Sequence, residues 1–187
     1  EEEASKTTLV EKPEWRTKWN LHLDMNPFKY LRDGNEQEEI AKHVDTMRYK
    51  KINHFIYENN QVCKLHKNTL QAVLNLVDNE AQDGGFITVP GFHHHFKAYF
   101  ESFPERIQQQ YTKDSFSFYK RADSQVKQLA QRITSRAGSI IIWHQGMPHG
   151  SAPNQSKRMR CAQFMRMFPS EHVAAPRAKA RAQAIVK

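Results

Sequence analysis

The sequence predicts an all-β core with peripheral helices, arranged as an antiparallel barrel or sandwich. Three observations carry this. Residues 18–24 (KWNLHLD) alternate apolar and polar side chains. Short apolar runs at 70–77, 86–89 and 139–144 are each bounded by turn signals. Long polar stretches separate these runs. The chain of 187 residues fits one such domain, read as residues 1–169 with an insertion or lid at 28–69, followed by a basic tail at 170–187.

Taken in order, residues 18–24 set Leu21 and Leu23 on one face and Asn20, His22 and Asp24 on the other, the period of a strand. Asn26-Pro27 ends it. After a turn at Asp33-Gly34-Asn35, residues 36–51 place Ile40, Val44 and Met47 at helical spacing. LQAVLNLV at 70–77 reads as a buried strand, Asp83-Gly84-Gly85 as a tight turn, and 86–89 as a strand closed by Pro90-Gly91. Residues 98–110 read as helical or irregular, and 125–132 as a short segment before a turn at Arg136-Ala137-Gly138. SIIIWH at 139–144 is a strong strand signal. The Gly-, Pro- and Asn-bearing stretch 146–156 reads as turns, and 158–168 as the last strand. Beyond Pro169, an Ala-rich segment with Arg177, Lys179, Arg181 and Lys187 reads as a mobile or partner-binding tail.

Composition narrows the function classes. No run approaches 18 apolar residues, so no membrane-spanning helix is expected. Cys63 and Cys161 cannot form a disulfide framework or a four-cysteine zinc site, which favours a reducing, intracellular setting in the cytoplasm or an organelle. The net charge of +8 suits an anionic partner, whether carboxylate, phosphate, nucleic acid or acidic protein, and equally a solvated basic surface. The chain has no Gly-rich phosphate loop after a strand and no G-x-S-x-G elbow, so phosphate-loop and serine-hydrolase chemistry lack support.

His22-x-Asp24 is the first candidate metal pair. On a strand, residues i and i+2 project from one face about 7 Å apart, close enough to converge on one ion. A second H-x-D, His43-Val44-Asp45, lies in the helical stretch, where i and i+2 point about 200° apart. That geometry favours His22 and Asp24, leaving His43 and Asp45 as a solvated helix face. A third ligand must come from elsewhere, and His144 and His149 both flank the turn Gln145-Gly146-Met147-Pro148. Two histidines and a carboxylate on one triangular face leave open positions, as in non-haem Fe(II) oxygenases. Arg160 follows His149 by eleven positions, far enough for the chain to turn and return with a guanidinium aimed into the same cavity. Its planar fork suits a carboxylate.

These pieces, in this order, resemble the phytanoyl-CoA dioxygenase family of Fe(II)/2-oxoglutarate-dependent oxygenases. The matching segments are LHLDMNP at 21–27, LQAVLNLVDNEAQDGGFITVPGFHHHF at 70–96 and AGSIIIWHQGMPHGSAPNQSKRMR at 137–160. The resemblance implies a double-stranded β-helix (a jelly roll), with His22, Asp24 and His149 as iron ligands and Arg160 on the distal carboxylate of 2-oxoglutarate. Fe(II) and 2-oxoglutarate are thereby the expected cofactor and co-substrate. Asp24, where halogenating relatives carry a small residue, implies hydroxylation of an organic substrate: a small molecule, a lipid-like molecule or a protein side chain. The family has a longer region ahead of its H-x-D than the 21 residues found here. The N-terminal part therefore reads as shortened, with a partner chain a candidate to cover the open sheet edge.

Other readings stand beside these. The same scaffold could serve as a non-catalytic structural or binding subunit that docks an acidic protein or RNA through its positive charge. Arg158 shares a strand face with Arg160 and is the competing carboxylate ligand. His93-His94-His95 reads as a loop rather than a metal tract, Ser151 and Asn154 as turn residues, and Cys161 as a core residue.

Overall fold

The computed structural model describes residues 17–32, 36–47, 58, 61–119, 123–170 and 173–185. The alternation at the first motif is realised as β1 (Asn20–Leu23): Leu21 and Leu23 are fully buried, while Asn20 and His22 turn to the other, partly open face. Asn26 then ends the strand and starts a helix at Pro27–Leu31, its side chain accepting from the amides of Phe28 and Lys29 at 3.1 and 3.0 Å.

Seven more strands follow among the described residues: β2 (Leu70–Asn75), β3 (Gly85–Thr88), β4 (Phe116–Ser117), β5 (Gln131–Arg132), β6 (Ile140–His144), β7 (His149–Ala152) and β8 (Ala162–Met167). They make two antiparallel sheets, ordered β4-β1-β7-β3-β5 and β6-β2-β8, the jelly-roll architecture expected from the sequence. Between the sheets, Val73, Phe86 and Trp143 form a small core, with the Phe86 and Trp143 rings 4.4 Å apart.

The larger sheet is covered on its other face as well. There Leu21, Leu23, Ile87 and Val89 meet Phe92, Phe96, Phe100, Phe116 and Phe118, with Phe28 packed edge-on to Phe100 at 5.6 Å. Each buried phenylalanine contributes about 1.5–3 kcal/mol, so this aromatic layer is the main anchor of the sheet that carries the first motif. The outer face of the smaller sheet differs: Leu70, Ile140, Ile142 and Met167 are exposed on it.

Several local expectations need correction. The stretch read as turns at 146–156 contains β7, because Gly150 and His149 pair with β1 and β3 on both sides. Residues 98–110 hold two helices, Phe96–Glu101 and Glu105–Gln110, and 125–132 splits into the helix Ser124–Gln128 and β5. β4 and β5 span two residues each, too short to leave a periodic signal. In the 28–69 stretch the described residues are largely helical, at Pro27–Leu31, Glu36–Thr46 and 61–65, and part of it lies outside the described residues. Ile40, Val44, Met47 and Val62 pack together there, against Phe168 and Ala180. Ala180 belongs to a helix at Ala175–Ile185, so the segment read as a mobile tail contains regular structure. Cys161 is exposed rather than in the core. Among the described residues no helix is long and apolar enough to cross a membrane.

One glycine is indispensable to this arrangement. Gly150 faces Leu21 across the β1–β7 pair, and a Cβ on it would fall on the backbone carbonyl oxygen of Asn20. Gly150→Ala must push the two strands apart. The expected loss is about 3 kcal/mol, a fall of roughly 6–12 °C in Tm for a chain this long, read by circular dichroism melts. A melting temperature unchanged by the substitution would show that the strands do not approach this closely.

Candidate metal centre between the two sheets

The pairing of β1 with β7 sets His22 directly opposite His149. Asp24 lies just past the end of β1, on the same face as His22. Ligand atoms of the three side chains all lie within 4.8 Å of one another. The Nε2 atoms of His22 and His149 stand 3.5 and 3.4 Å from the two carboxylate oxygens of Asp24, Oδ1 and Oδ2 respectively. The two rings are 4.7 Å apart.

The groups around the three residues hold them in a ligating form. His149 Nδ1 lies 2.9 Å from the carbonyl oxygen of Met147. A carbonyl only accepts, so Nδ1 carries a proton, and Nε2 is the nitrogen turned to Asp24, a donor to the carboxylate when protonated and a ligand for a metal when not. Asp24 Oδ2 also accepts from Gln71 Nε2 at 2.7 Å and from the Arg166 guanidinium. Burial alone would raise the Asp24 pKa. The opposing hydrogen bonds from His149 and His22, with the charge of Arg166, outweigh it and hold the carboxyl well below the usual carboxylate range. The carboxylate is therefore ionised at neutral pH. Two imidazole nitrogens and one carboxylate, with no fourth such ligand grouped with them among the described residues, fit a divalent metal that keeps open positions.

A cavity of about 570 Å³ opens beside these residues. Phe86 and Ser151 line it from the larger sheet, and Gln71, Trp143, Phe164 and Arg166 from the smaller one. Arg160 is not part of this lining. Its guanidinium lies 5.6 Å from the Phe164 ring, and its Nε is buried without a hydrogen-bond partner, close to Gly85. Arg158 is committed elsewhere: Nε and Nη2 donate to the two oxygens of buried Asp83 at 3.0 and 2.6 Å.

Other residues singled out in the sequence fall away from the centre. His144 Nε2 donates to the Lys67 carbonyl at 3.0 Å, and its Nδ1 accepts from the Gly146 amide at 3.1 Å, so both ring nitrogens are spent on turns. His43 and Asp45 sit in the helix Glu36–Thr46. His93, His94 and His95 are exposed around a single helical turn. Asn154 shapes the turn after β7, accepting from the Ser156 amide and donating to the Arg158 carbonyl.

Sequence reasoning passed over Gln71, Trp143 and Arg166. Each had a signal. Gln71 is a polar residue inside an otherwise apolar run, and Arg166 lies six positions from Arg160, an even step on a strand. Trp143 is the aromatic member of SIIIWH, set on the inner face by its register with Gln71.

Comparison with known proteins places this geometry in context. A protein of Dictyostelium discoideum named "Putative phytanoyl-CoA dioxygenase" is 44% identical over 167 residues, 89% of this chain and 45% of that protein. The chain thus spans less than half the length of this relative. Among solved structures, GIG2 from Candida albicans aligns over 81% of this chain and 39% of its own at 18% identity, with a TM-score of 0.49. The epimerase SnoN from nogalamycin biosynthesis, solved with Fe3+, α-ketoglutarate and nogalamycin RO, aligns over 54% of this chain and 36% of its own at 20% identity, with a TM-score of 0.37. A sequence model described as Phytanoyl-CoA dioxygenase (PhyH) matches residues 3–162, most of the chain, including His22, Asp24 and His149. On that match and the 44% identity, the chain belongs to the phytanoyl-CoA dioxygenase family, a family of Fe(II)- and 2-oxoglutarate-dependent oxygenases.

Proposed function

We propose that this chain carries the centre of an Fe(II)- and 2-oxoglutarate-dependent dioxygenase that hydroxylates an organic substrate. The observation that supports it most is the convergence of His22, Asp24 and His149 beside a cavity between two sheets. His22, Asp24 and His149 would hold iron, which with O₂ and 2-oxoglutarate would supply the oxidising power for attack on an unactivated C–H bond, one oxygen atom of O₂ going to the hydroxyl group and the other to succinate, with loss of CO₂.

The protein's own residues position and shield. Met147 fixes the ring and tautomer of His149 through Nδ1. Gln71 and Arg166 hold one oxygen of Asp24, which restricts rotation of the carboxylate. Phe86 and Trp143, both buried, form the apolar wall that shields the reacting face from water. Arg160, a largely buried cation with an unpartnered Nε, takes the distal carboxylate of 2-oxoglutarate. An unmet buried donor is costly unless a ligand meets it, and a carboxylate is the ligand that a guanidinium fits.

Anaerobic addition of Fe(II) and 2-oxoglutarate to the protein should produce a metal-to-ligand charge-transfer band in the visible. Its absence from folded protein would overturn the proposal. His22→Ala, Asp24→Ala and His149→Ala should each weaken metal binding by more than about 100-fold, beyond the range typical of an outer-shell partner. His43→Ala and Asp45→Ala should leave it unchanged. Loss of metal on His43→Ala would mean that the wrong H-x-D has been assigned.

A separate titration distinguishes the two arginines. Arg160→Ala should raise the dissociation constant for 2-oxoglutarate roughly 10- to 150-fold, the value of a charged hydrogen-bonded pair of about 1.5–3 kcal/mol. Arg158→Ala, which removes the partner of buried Asp83, should lower the melting temperature and leave 2-oxoglutarate affinity intact. The reverse pattern would transfer the carboxylate role to Arg158.

A further inference from the structure

We propose that Arg166 anchors a carboxylate on the primary substrate, so that this oxygenase acts on an organic acid; the inference rests on the function proposed above. The starting point is a row of side chains across the smaller sheet. Gln71 on β2 is in register with Trp143 on β6 and with Arg166 on β8, and directly opposed residues of antiparallel strands share a face. All three line the cavity at the level of Asp24.

Every member of this row has an unmet polar group. Arg166 uses one nitrogen, Nη2, on Asp24, which leaves Nε and Nη1 with no partner among the described residues, on a side chain 20% exposed. Trp143 Nε1 is a buried donor without an acceptor. Gln71 must point its amide nitrogen at Asp24, because a carboxylate only accepts, so its buried Oε1 is left without a donor. Buried groups of this kind are uncommon, and two of them, Trp143 Nε1 and Gln71 Oε1, beside a partly exposed guanidinium at a cavity wall point to a ligand. The unmet donors belong to a guanidinium and an indole, so the ligand group is an acceptor with negative charge. The planar fork selects a carboxylate. A hydroxyl or N–H on the same molecule would satisfy Gln71.

Arg166 is also on the correct side for a substrate rather than for the co-substrate. Along β8, Phe164 pairs with Val73 and Ala162 with Asn75, two and four residues away from Arg166 towards Arg160. Arg160 lies at the end where Gly85 pairs with Ala152, beyond the level of His149 and Thr88. Phe164 therefore stands between the two cations. Arg160 lies outside the cavity lining, so a dicarboxylate held at Arg160 would leave Arg166, which lines the cavity, for a second anion. The remaining walls, Phe86, Trp143 and Phe164, suit an apolar or aromatic body behind that carboxylate.

The test uses the whole chain loaded with Mn(II) and 2-oxoglutarate, and loading is first verified by electron paramagnetic resonance and calorimetry. Failure to load counts against the oxygenase function and is read separately. Loaded protein is then titrated with acid–amide pairs: hexanoate and hexanamide, decanoate and decanamide, 3-phenylpropanoate and 3-phenylpropanamide. At least one acid should bind about tenfold or more tightly than its amide, and Arg166→Gln should reduce that preference to about twofold or less when Mn(II) and 2-oxoglutarate are raised until both sites of the variant are occupied, since loss of a partner of Asp24 weakens metal binding by itself. Arg166→Lys, which keeps the charge and loses the fork, should retain a weaker preference and serves if the glutamine variant does not fold. The proposal is overturned if no acid outranks its amide or if the preference survives Arg166→Gln. It is equally overturned if hexyl phosphate outbinds every acid, or if 2-oxoglutarate competes with the acid, which would place it on Arg160. Recovery of the acid preference by Arg166→Gln once Mn(II) is saturating would show that Arg166 serves only Asp24, and would also overturn it.

Discussion

The backbones of β1 and β7 approach so closely at Leu21 and Gly150 that no side chain fits between them, and this contact sets His22 opposite His149. The rest of the centre depends on that register. A slip of one residue would turn both histidines to the other face of the sheet, because side chains alternate with period two. The register is held from behind. Leu21 and Leu23 insert into the phenylalanine layer on the far face, so moving β1 by one position would drive apolar side chains into the cavity and His22 into the aromatic core. The same burial that stabilises the sheet thereby fixes the position of the candidate metal ligands.

The electrostatics of the centre follow from its position between two sheets. A carboxylate at this depth loses hydration, and in isolation it would tend to take up a proton. Here His22 and His149 come from the larger sheet and Gln71 and Arg166 from the smaller one, so Asp24 is the point at which the two halves of the sandwich meet. The interaction serves the fold and the chemistry together. It ties the sheets across their polar end and keeps the carboxylate ionised. The apolar contact of Val73, Phe86 and Trp143 ties them further in. Polar groups gather where the sandwich is open and apolar ones where it is closed, the arrangement expected for a cleft with reactive groups at its mouth.

Four arginines near the cavity are distinguished by their partners. Arg158 meets Asp83, a carboxylate buried in the turn before β3, and so serves structure. Arg132 likewise donates to the carbonyls of Phe86, Ile133 and Gly84 and to Asn79, fastening the loop between β2 and β3 to β5. Arg160 and Arg166 keep donors unspent. In a protein interior, donors without acceptors are the ones available for ligands.

Much of this protein is determined locally. The alternation of Leu21, His22, Leu23 and Asp24, the Asn26-Pro27 helix start and the apolar runs that become β2, β3 and β6 depend on neighbours in the chain, and a period or a cap is legible in sequence. The choice of His22-x-Asp24 over His43-x-Asp45 rests on the same footing, since strand and helix send i and i+2 in different directions. Other features had no local cause to be read. β7 lacks an apolar run because its neighbours on both sides need a glycine and polar side chains there. β4 and β5 are strands only because longer strands pair with them. The helix at Ala175–Ile185 has a surface to pack on only after Ile40, Val44 and Met47 have gathered. Gln71, Trp143 and Arg166 stand far apart in sequence, and three-strand register brings them into one row. Residues joined by period are fixed by the chain itself, whereas residues joined by pairing across strands acquire their roles only when the sheets close.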